Sequence, residues 1–256
     1  MAENQYGFPT EVLSLPSQGL LYPEDSPLRS GTIDVKYMTA KEEDILTSAN
    51  LINQGVVLDK LLESVIADPK IKLDDMLIGD KNALMVGTRI LGYGKEYKVK
   101  ITDPDTGSVV EHSVDLTQLK HKEPDKSSFT DENKFEFELP NSKRKLQFKL
   151  LTHKDENEIK QTIQGLEKVE ELTGVATNLT TRLKQQITSV DGNEDRKFIN
   201  DFVENEMLAI DSKEFRTYMS SITPDIEMKF DYTSQTGNKH QLDIPLAVEF
   251  FWPAAE

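Results

Sequence analysis

The sequence predicts an α+β fold: a helical subdomain plus antiparallel β-hairpins, with a long polar helix or helical hairpin inserted. Apolar residues recur at helical spacing between residues 39 and 94, alternate with polar residues in three later segments, and form one narrow stripe from Ile159 to Ile187. We expect one or two compact domains, made of five parts. These are an arm (1–30), a helical unit (31–96), a β-hairpin region (97–151), a helical region with the long polar helix (152–224), and a C-terminal β-hairpin with an aromatic end (225–256).

The N-terminal arm contains an apolar stretch, residues 15–23, that two prolines and a glycine interrupt. Pro16, Gly19 and Pro23 exclude a helix and disfavour a central strand. The stretch therefore predicts a rigid segment that places leucines and Tyr22 on another surface. That surface is either the chain's own core or another subunit. We expect residues 15–23 to pack mainly on the chain's own domain, and residues 1–12 to reach a neighbour.

The helical unit is predicted to contain three helices. Thr39 and Glu42 form a capping-box pattern before a first helix that Gly55 ends. A second helix has the most regular apolar spacing and ends at Asp68-Pro69; its apolar residues are Leu58, Leu61, Leu62, Val65 and Ile66. A third runs from about Asp80 to Leu91 and is closed by Gly92-Tyr93-Gly94. We expect Asp74, Asp75 and Asp80 to be loop and cap residues rather than a catalytic cluster, because acids are favoured at helix starts.

Three hairpins are predicted from alternating apolar residues. The first turns at residues 103–107 and the third at residues 234–238, and their similar sequences form a weak internal repeat. The second turns at Pro140-Asn141-Ser142. We expect Leu139 to pair with Leu146, which would place Glu136 opposite Lys149.

The narrow apolar stripe between Ile159 and Ile187 is typical of a coiled-coil seam or a helical hairpin. The pattern leaves open whether this is one helix or two, with Gly174 as a potential break. Two further helices are predicted. One runs from about Asn193 to Ala209, and the next begins at Asp211 as its N-cap and ends before Pro224.

Composition and motifs argue against most catalytic and ligand-binding functions. The formal charge of −15 disfavours nucleic-acid binding, and the lack of cysteine excludes disulfides and thiolate metal sites. No apolar run is long enough to span a membrane. Phosphate-binding loops and nucleophile elbows are absent, and a calcium-loop-like start at Asp191 has Arg196 and Phe202 where glycine and glutamate are needed. We therefore expect no enzyme, cofactor, metal or small-molecule substrate. An active site assembled from residues distant in sequence stays open as an alternative.

Four motifs, in this order, resemble the baseplate hub and hub assembly proteins of T-even-type contractile-tailed bacteriophages. They are Leu-Pro-Ser-x-Gly-x-x-Tyr (15–22), the segment 38–46, Asp80 with Arg89 and Gly92-Tyr93-Gly94, and Phe-Phe-Trp-Pro (250–253). The resemblance implies a non-enzymatic structural subunit of the tail baseplate, made in the host cytoplasm and located in the virion. Its partners would be other baseplate or hub proteins, with self-association also open. The alternative is a transient hub assembly chaperone that is absent from the mature particle.

The two ends of the chain carry the candidate interface or structural residues. An aromatic cluster close to a terminus is usually docked, because an exposed one promotes association. The candidates are Leu15, Pro16, Gly19, Tyr22, Pro23, Phe250, Phe251, Trp252 and Pro253.

Many proteins of the family that the chain resembles carry a Cys-x-x-Cys knuckle at the hairpin turns. The matching positions here are Asp103 to Thr106 and Thr233 to Thr236, each followed by a glycine. A hydroxyl or a single carboxylate cannot replace a thiolate zinc site. We therefore expect hydrogen bonds and strand packing, without metal, to hold these two turns.

Overall fold

A computed structural model describes residues 7–122, 133–173, 176–244 and 248–251. The fold is α+β, as the sequence predicts, with several small antiparallel sheets and helices packed around one apolar core. Residues from both ends of the described chain enter this core, including Leu15 and Phe251. Among the described residues, no helix combines the length and the apolar content needed to cross a membrane.

The N-terminal strands form a two-stranded antiparallel sheet. Strand β1 (Thr10–Ser14) pairs with β2 (Thr32–Lys36), so that Leu13 lies opposite Ile33. A short 3₁₀ helix, Pro27–Ser30, separates the arm from β2. Val35 then makes an isolated bridge to Ile66, which ties this sheet to the helices that follow.

The helical unit has four α-helices where three were predicted. The predicted first helix is divided into α1 (Ala40–Leu46) and α2 (Ala49–Asn53), because Ser48 adopts an extended conformation and caps α2. The capping box of Thr39 and Glu42 is confirmed. Helix α3 spans Val57–Val65, and a 3₁₀ turn, Leu73–Asp75, leads to α4 at Ile78–Tyr93.

Helix α4 is the central helix of the fold. Its N-terminal turn lies against Pro224, and a Cβ on Gly79 would lie 2.0 Å from the Pro224 carbonyl oxygen. Only glycine allows this approach. Asp80 was predicted to lie at the helix start, and it is in the first turn, but its side chain is fully buried and receives hydrogen bonds from the arm.

The first and third hairpins are confirmed. Strands β3 (Glu96–Thr102) and β4 (Val109–Asp115) form one, and β10 (Lys229–Thr233) and β11 (Lys239–Asp243) form the other. A 3₁₀ turn, Leu116–Gln118, follows β4, and β5 (His121–Lys122) pairs with β9 (Asp225–Ile226).

The predicted register of the second hairpin is wrong by two residues. Strand β6 (Phe135–Glu138) pairs with β7 (Lys145–Phe148) so that Leu146 lies opposite Phe137, and Glu136 faces Gln147. The turn is tighter than expected because the Leu139 N–H donates to the Arg144 carbonyl oxygen and Lys143 adopts a positive φ of 60°. A shift of two residues keeps each side chain on its predicted face.

The segment that carries the narrow apolar stripe is a helical hairpin followed by a strand. Helix α5 (His153–Thr173) and α6 (Asn178–Gln186) lie side by side, and Gln185 donates to the carboxylates of Asp155 (3.0 Å) and Glu158 (2.8 Å). The predicted stripe extends too far, because Ile187 begins strand β8 (Ile187–Val190) and pairs with Phe148. Gly174 lies outside the described residues.

The last helices begin and end at positions that differ from those predicted. Helix α7 (Arg196–Asp201) continues into a π-helical turn, Phe202–Glu206, and α8 spans Ala209–Ile222. Asp211 is not the N-cap of α8, because Leu208 occupies that position. Instead, the Asp211 carboxylate accepts hydrogen bonds from the backbone N–H groups of Asn141 and Ser142, both 2.9 Å, and so fixes the β6–β7 turn against α8.

Candidate functional site

Asp80 joins the N-terminal arm to helix α4. Its Oδ1 accepts from the Ser17 N–H at 2.9 Å, and its Oδ2 accepts from the Ser17 and Tyr22 hydroxyls, both at 2.6 Å. The Tyr22 hydroxyl also accepts from the Leu77 N–H at 2.9 Å. We call Asp80, Ser17 and Tyr22 the arm junction. It connects residues 63 positions apart in the chain.

Burial controls the ionisation of the arm junction. Asp80 is fully inaccessible to solvent, and this burial raises its pKa even though the hydrogen bonds from Ser17 and Tyr22 favour the charged form. Burial, and then the nearby Asp80 charge, raise the pKa of Tyr22 far above its ordinary value. The phenol therefore remains a hydrogen-bond donor throughout the physiological pH range.

A tight turn gives the arm its shape. Gly19 has a φ of 76°, and a Cβ there would lie 2.3 Å from the Arg29 carbonyl oxygen. The Arg29 guanidinium donates to the carbonyl oxygens of Leu20 (2.8 Å) and Tyr22 (3.0 Å). Of the candidate residues in the arm, Leu15, Pro16, Gly19 and Tyr22 are buried in the chain's own fold and Pro23 is exposed.

The turns of the first and third hairpins meet at Asp103. Its carboxylate accepts hydrogen bonds from five donor groups, which are the backbone N–H groups of Asp105, Thr106 and Gln235 and the hydroxyls of Tyr232 and Ser234. Beside it, Asp105 accepts from the Thr236 hydroxyl, the Asn238 amide and the His240 ring. We call this set of residues the turn junction.

Hydrogen bonds dominate the ionisation of the turn junction. Burial alone would raise the pKa of Asp103, but the hydrogen bonds from Tyr232 and from the backbone N–H groups lower it below its ordinary value. The Thr236 hydroxyl is the largest of the influences that lower the pKa of Asp105 to about 2. Both carboxylates are therefore charged acceptors at neutral pH.

The turn junction consists of the two turns that the resemblance matches to the knuckle positions. Hydrogen bonds connect the two turns in this chain. Among the described residues, no group of His, Cys, Asp and Glu is arranged to hold a metal ion. The chain has no cysteine to supply a thiolate, and Asp103 and Asp105 accept hydrogen bonds from the opposite turn instead. The sequence repeat indicated two similar hairpins, but it did not indicate that they contact each other.

Arg89 connects the aromatic end to α4. Its Nε donates to the Phe250 carbonyl oxygen at 2.9 Å, and Nη1 donates to the Gly94 carbonyl oxygen at 3.0 Å. The Phe250 ring lies 5.0 Å from the Tyr97 ring, and both Phe250 and Phe251 are fully buried. Burial lowers the pKa of Arg89. Trp252 and Pro253 lie outside the described residues.

The sequence matches a known protein family. A model of the T4 bacteriophage base plate protein family matches residues 20–252, which is most of the chain. The chain belongs to this family. No curated protein and no solved structure gives a significant match.

Strand β1 has an unpaired backbone edge in the described part of this base plate protein. It pairs with β2 on one side, and no other described strand pairs with it. The Leu15 N–H donates to the Gly31 carbonyl oxygen, so the alternation of an antiparallel ladder directs the backbone groups of Thr10, Val12 and Ser14 away from β2. The Val12 side chain is 63% exposed. An edge of this kind can accept a further strand.

Proposed function

We propose that the chain is a non-enzymatic structural subunit of a contractile phage tail baseplate, in the hub or next to it. It acts through interfaces with other baseplate proteins, and it has no nucleic-acid, membrane-spanning or small-molecule partner. The observation that carries the proposal is the use of the buried charged groups. Asp80, Asp103 and Arg89 each connect distant parts of the same chain through hydrogen bonds.

The enzyme alternative receives little support from the same groups. A catalytic acid would be a carboxyl of raised pKa in an open cleft. Asp80 has the raised pKa, but its side chain is inaccessible and contacts Ser17 and Tyr22. Of the described grooves, the one of about 750 Å³ is lined by residues that do not include Asp80, Asp103 or Arg89.

The edge of β1 is the interface that we assign to this function. An extended segment of a neighbouring baseplate protein would add to the sheet there, with its backbone bonded to Thr10, Val12 and Ser14. Thr10 and Val12 of this edge lie within residues 1–12, the part of the chain expected to reach a neighbour. The candidate residues at Leu15 and Tyr22 would support the edge from inside the fold.

A matched pair of variants tests the edge. Val12→Lys places a charge where the added strand would pack, and Val109→Lys places the same charge on a valine that is 70% exposed elsewhere. We expect Val12→Lys to lower incorporation into phage particles by about tenfold or more, equal to about 1.4 kcal/mol. Val109→Lys should leave incorporation unchanged. Equal incorporation of both variants would remove β1 from the interface.

Mass spectrometry of purified particles beside infected-cell lysate separates a structural subunit from a transient assembly chaperone. A structural subunit is present in particles at a fixed ratio to other baseplate proteins. A chaperone is abundant in the lysate and absent from particles. We favour the subunit because the arm is fixed to the core through buried hydrogen bonds, which suits a permanent part.

A further inference from the structure

A groove beside helix α8 is basic although the chain as a whole carries a formal charge of −15. The groove has a volume of about 490 Å³, and its described lining contains three cations, three hydroxyl side chains and no acid. The lining residues are Lys122, Lys213, Arg216, Thr217, Ser220 and Ser221. We call this surface the basic groove.

Helical spacing and one strand contact build the basic groove. Lys213, Arg216 and Ser220 lie on one face of α8, three and then four residues apart. Lys122 comes from β5 and reaches α8, where its ammonium group donates to the Ser220 carbonyl oxygen. Among the described residues, none of the three cations forms an ion pair with a carboxylate.

The basic groove opens into the larger groove of about 750 Å³, and the two share Lys122, Arg216 and Ser220. The larger groove has a mixed lining. It includes the acids Asp225, Glu227 and Asp243, the cations Arg182 and Lys229, and apolar residues such as Leu179, which is 43% exposed. The combined surface is therefore basic at one end and amphipathic at the other.

We propose that this combined surface binds an acidic segment of another protein, with carboxylates in the basic groove and apolar side chains over Leu179. Charge complementarity selects this occupant, because three cations that form no ion pair with any described residue attract carboxylates. A nucleic acid fits less well. Its phosphates would continue past the basic groove toward Asp225, Glu227 and Asp243, and the chain's overall charge repels a polyanion of that length.

The inference goes beyond the proposed function and does not depend on it. A structural subunit and an assembly chaperone could both use this surface, so its failure would leave the particle measurements unaffected. It concerns only the purified chain and the chemistry of its partner.

Fluorescence anisotropy with the purified full chain tests the proposal. The probe is a fluorescein-labelled peptide of consecutive glutamates followed by leucines, and the control peptide has glutamines in place of the glutamates. We expect the glutamate peptide to bind more tightly than the glutamine peptide. Its binding should weaken as the salt concentration is raised. No binding of the glutamate peptide, or equal binding of both peptides, would overturn the proposal.

Charge reversal locates the site. The K213E/R216E variant should weaken peptide binding by at least about tenfold, equal to about 1.4 kcal/mol. The control variant K70E/K72E makes the same change in net charge on exposed lysines outside the groove. Circular dichroism of both variants, and the neutral K213Q/R216Q variant, separate loss of the site from loss of the fold. Equal binding by K213E/R216E and K70E/K72E would contradict the assignment.

Two further measurements exclude other occupants. Tighter binding of a labelled thymidine oligonucleotide than of the glutamate peptide would assign the surface to nucleic acid and overturn the proposal.

The chain's own residues 123–132 include four acids, which are Glu123, Asp125, Asp131 and Glu132. If the variant E123Q/D125N/D131N/E132Q binds the peptide more tightly than the original chain, the groove belongs to this internal segment. Unchanged binding supports an external partner.

Discussion

The arm junction and the turn junction both connect distant segments through a buried aspartate, but the pKa values of the two aspartates are shifted in opposite directions. Each uses one inaccessible aspartate to connect segments far apart in the chain, Asp80 to the arm and Asp103 to the C-terminal hairpin. Asp80 accepts hydrogen bonds from three donor groups, and burial raises its pKa. Asp103 accepts from five donor groups, and these lower its pKa. Burial deep in the fold therefore opposes the charged form of Asp80, whereas the larger set of donors favours the charged form of Asp103.

Removing the acceptor at the arm junction should have the largest effect. Asp80→Ala leaves the Ser17 N–H, the Ser17 hydroxyl and the Tyr22 hydroxyl buried without their acceptor. Each such group costs roughly 1–3 kcal/mol, so we expect a loss on the order of 4 kcal/mol in the free energy of unfolding, measured by urea denaturation. Asp80→Asn is the matched control and should lose far less. Equal losses would show that burial, rather than hydrogen bonding, fixes the arm.

Comparing two asparagine variants sharpens the difference between the junctions. Asp80→Asn keeps one carbonyl oxygen for the Ser17 N–H, and the hydroxyls of Ser17 and Tyr22 can reorient to accept from the new amide. Asp103→Asn cannot serve backbone donors on both of its atoms, because Oδ1 accepts from Asp105 and Thr106 and Oδ2 accepts from Gln235. We therefore expect Asp103→Asn to lower the urea midpoint more than Asp80→Asn does. The reverse order would refute the donor-number explanation.

The two junctions should respond to pH with opposite signs. Asp105, with a folded pKa of about 2, contributes stability above the unfolded value of about 3.9 and loses it as pH falls toward 2, and Asp103 behaves in the same direction. Because burial raises the pKa of Asp80 in the folded state, ionisation of Asp80 lowers the free energy of unfolding. This loss of stability is absent at a pH below the unfolded-state pKa, and it grows as pH rises through the folded-state pKa. Relative to the original chain, Asp80→Asn should therefore gain stability with rising pH. The stability that Asp103→Asn lacks relative to the original chain should shrink as pH falls. Urea midpoints measured across acidic pH test both slopes, and parallel slopes would contradict the assignment.

Metal removal should have the smallest effect. Because hydrogen bonds hold the turn junction, we expect a strong chelator to leave the melting temperature unchanged. Chain purified without added metal should contain no stoichiometric zinc in elemental analysis. A drop in melting temperature with the chelator, restored by zinc, would show that the junction has a metal-dependent component.

The sequence predicted what periodicity and local capping determine. Helix α3, the capping box at Thr39 and the first and third hairpins follow from patterns a few residues long. The predictions were wrong where contacts between distant residues determine the local structure. Asp211 resembles an N-cap in sequence, yet it binds the β6–β7 turn 70 positions away. Ile187 continues a helical stripe, yet it pairs with Phe148 in a sheet.

The candidate site was predictable to a similar extent. The prolines and Gly19 indicated a rigid arm, and the turn of Gly19 against Arg29 supplies its shape. The partner of the arm was not predictable, because Asp80 also fits a helix start and nothing local distinguishes a capping acid from a buried acceptor. The contact between the two hairpin turns spans 129 positions from Asp103 to Tyr232, beyond the reach of any local pattern.

Cross-linking mass spectrometry of purified particles tests whether strand β1 contacts a neighbouring protein inside the baseplate. A zero-length reagent that joins carboxylates to lysines should connect Glu11, on strand β1, to a lysine of another baseplate protein. We expect such a cross-link, and we expect it to disappear in particles made with Val12→Lys. Absence of the chain from particles, or cross-links of Glu11 only to residues of its own chain, would contradict this expectation.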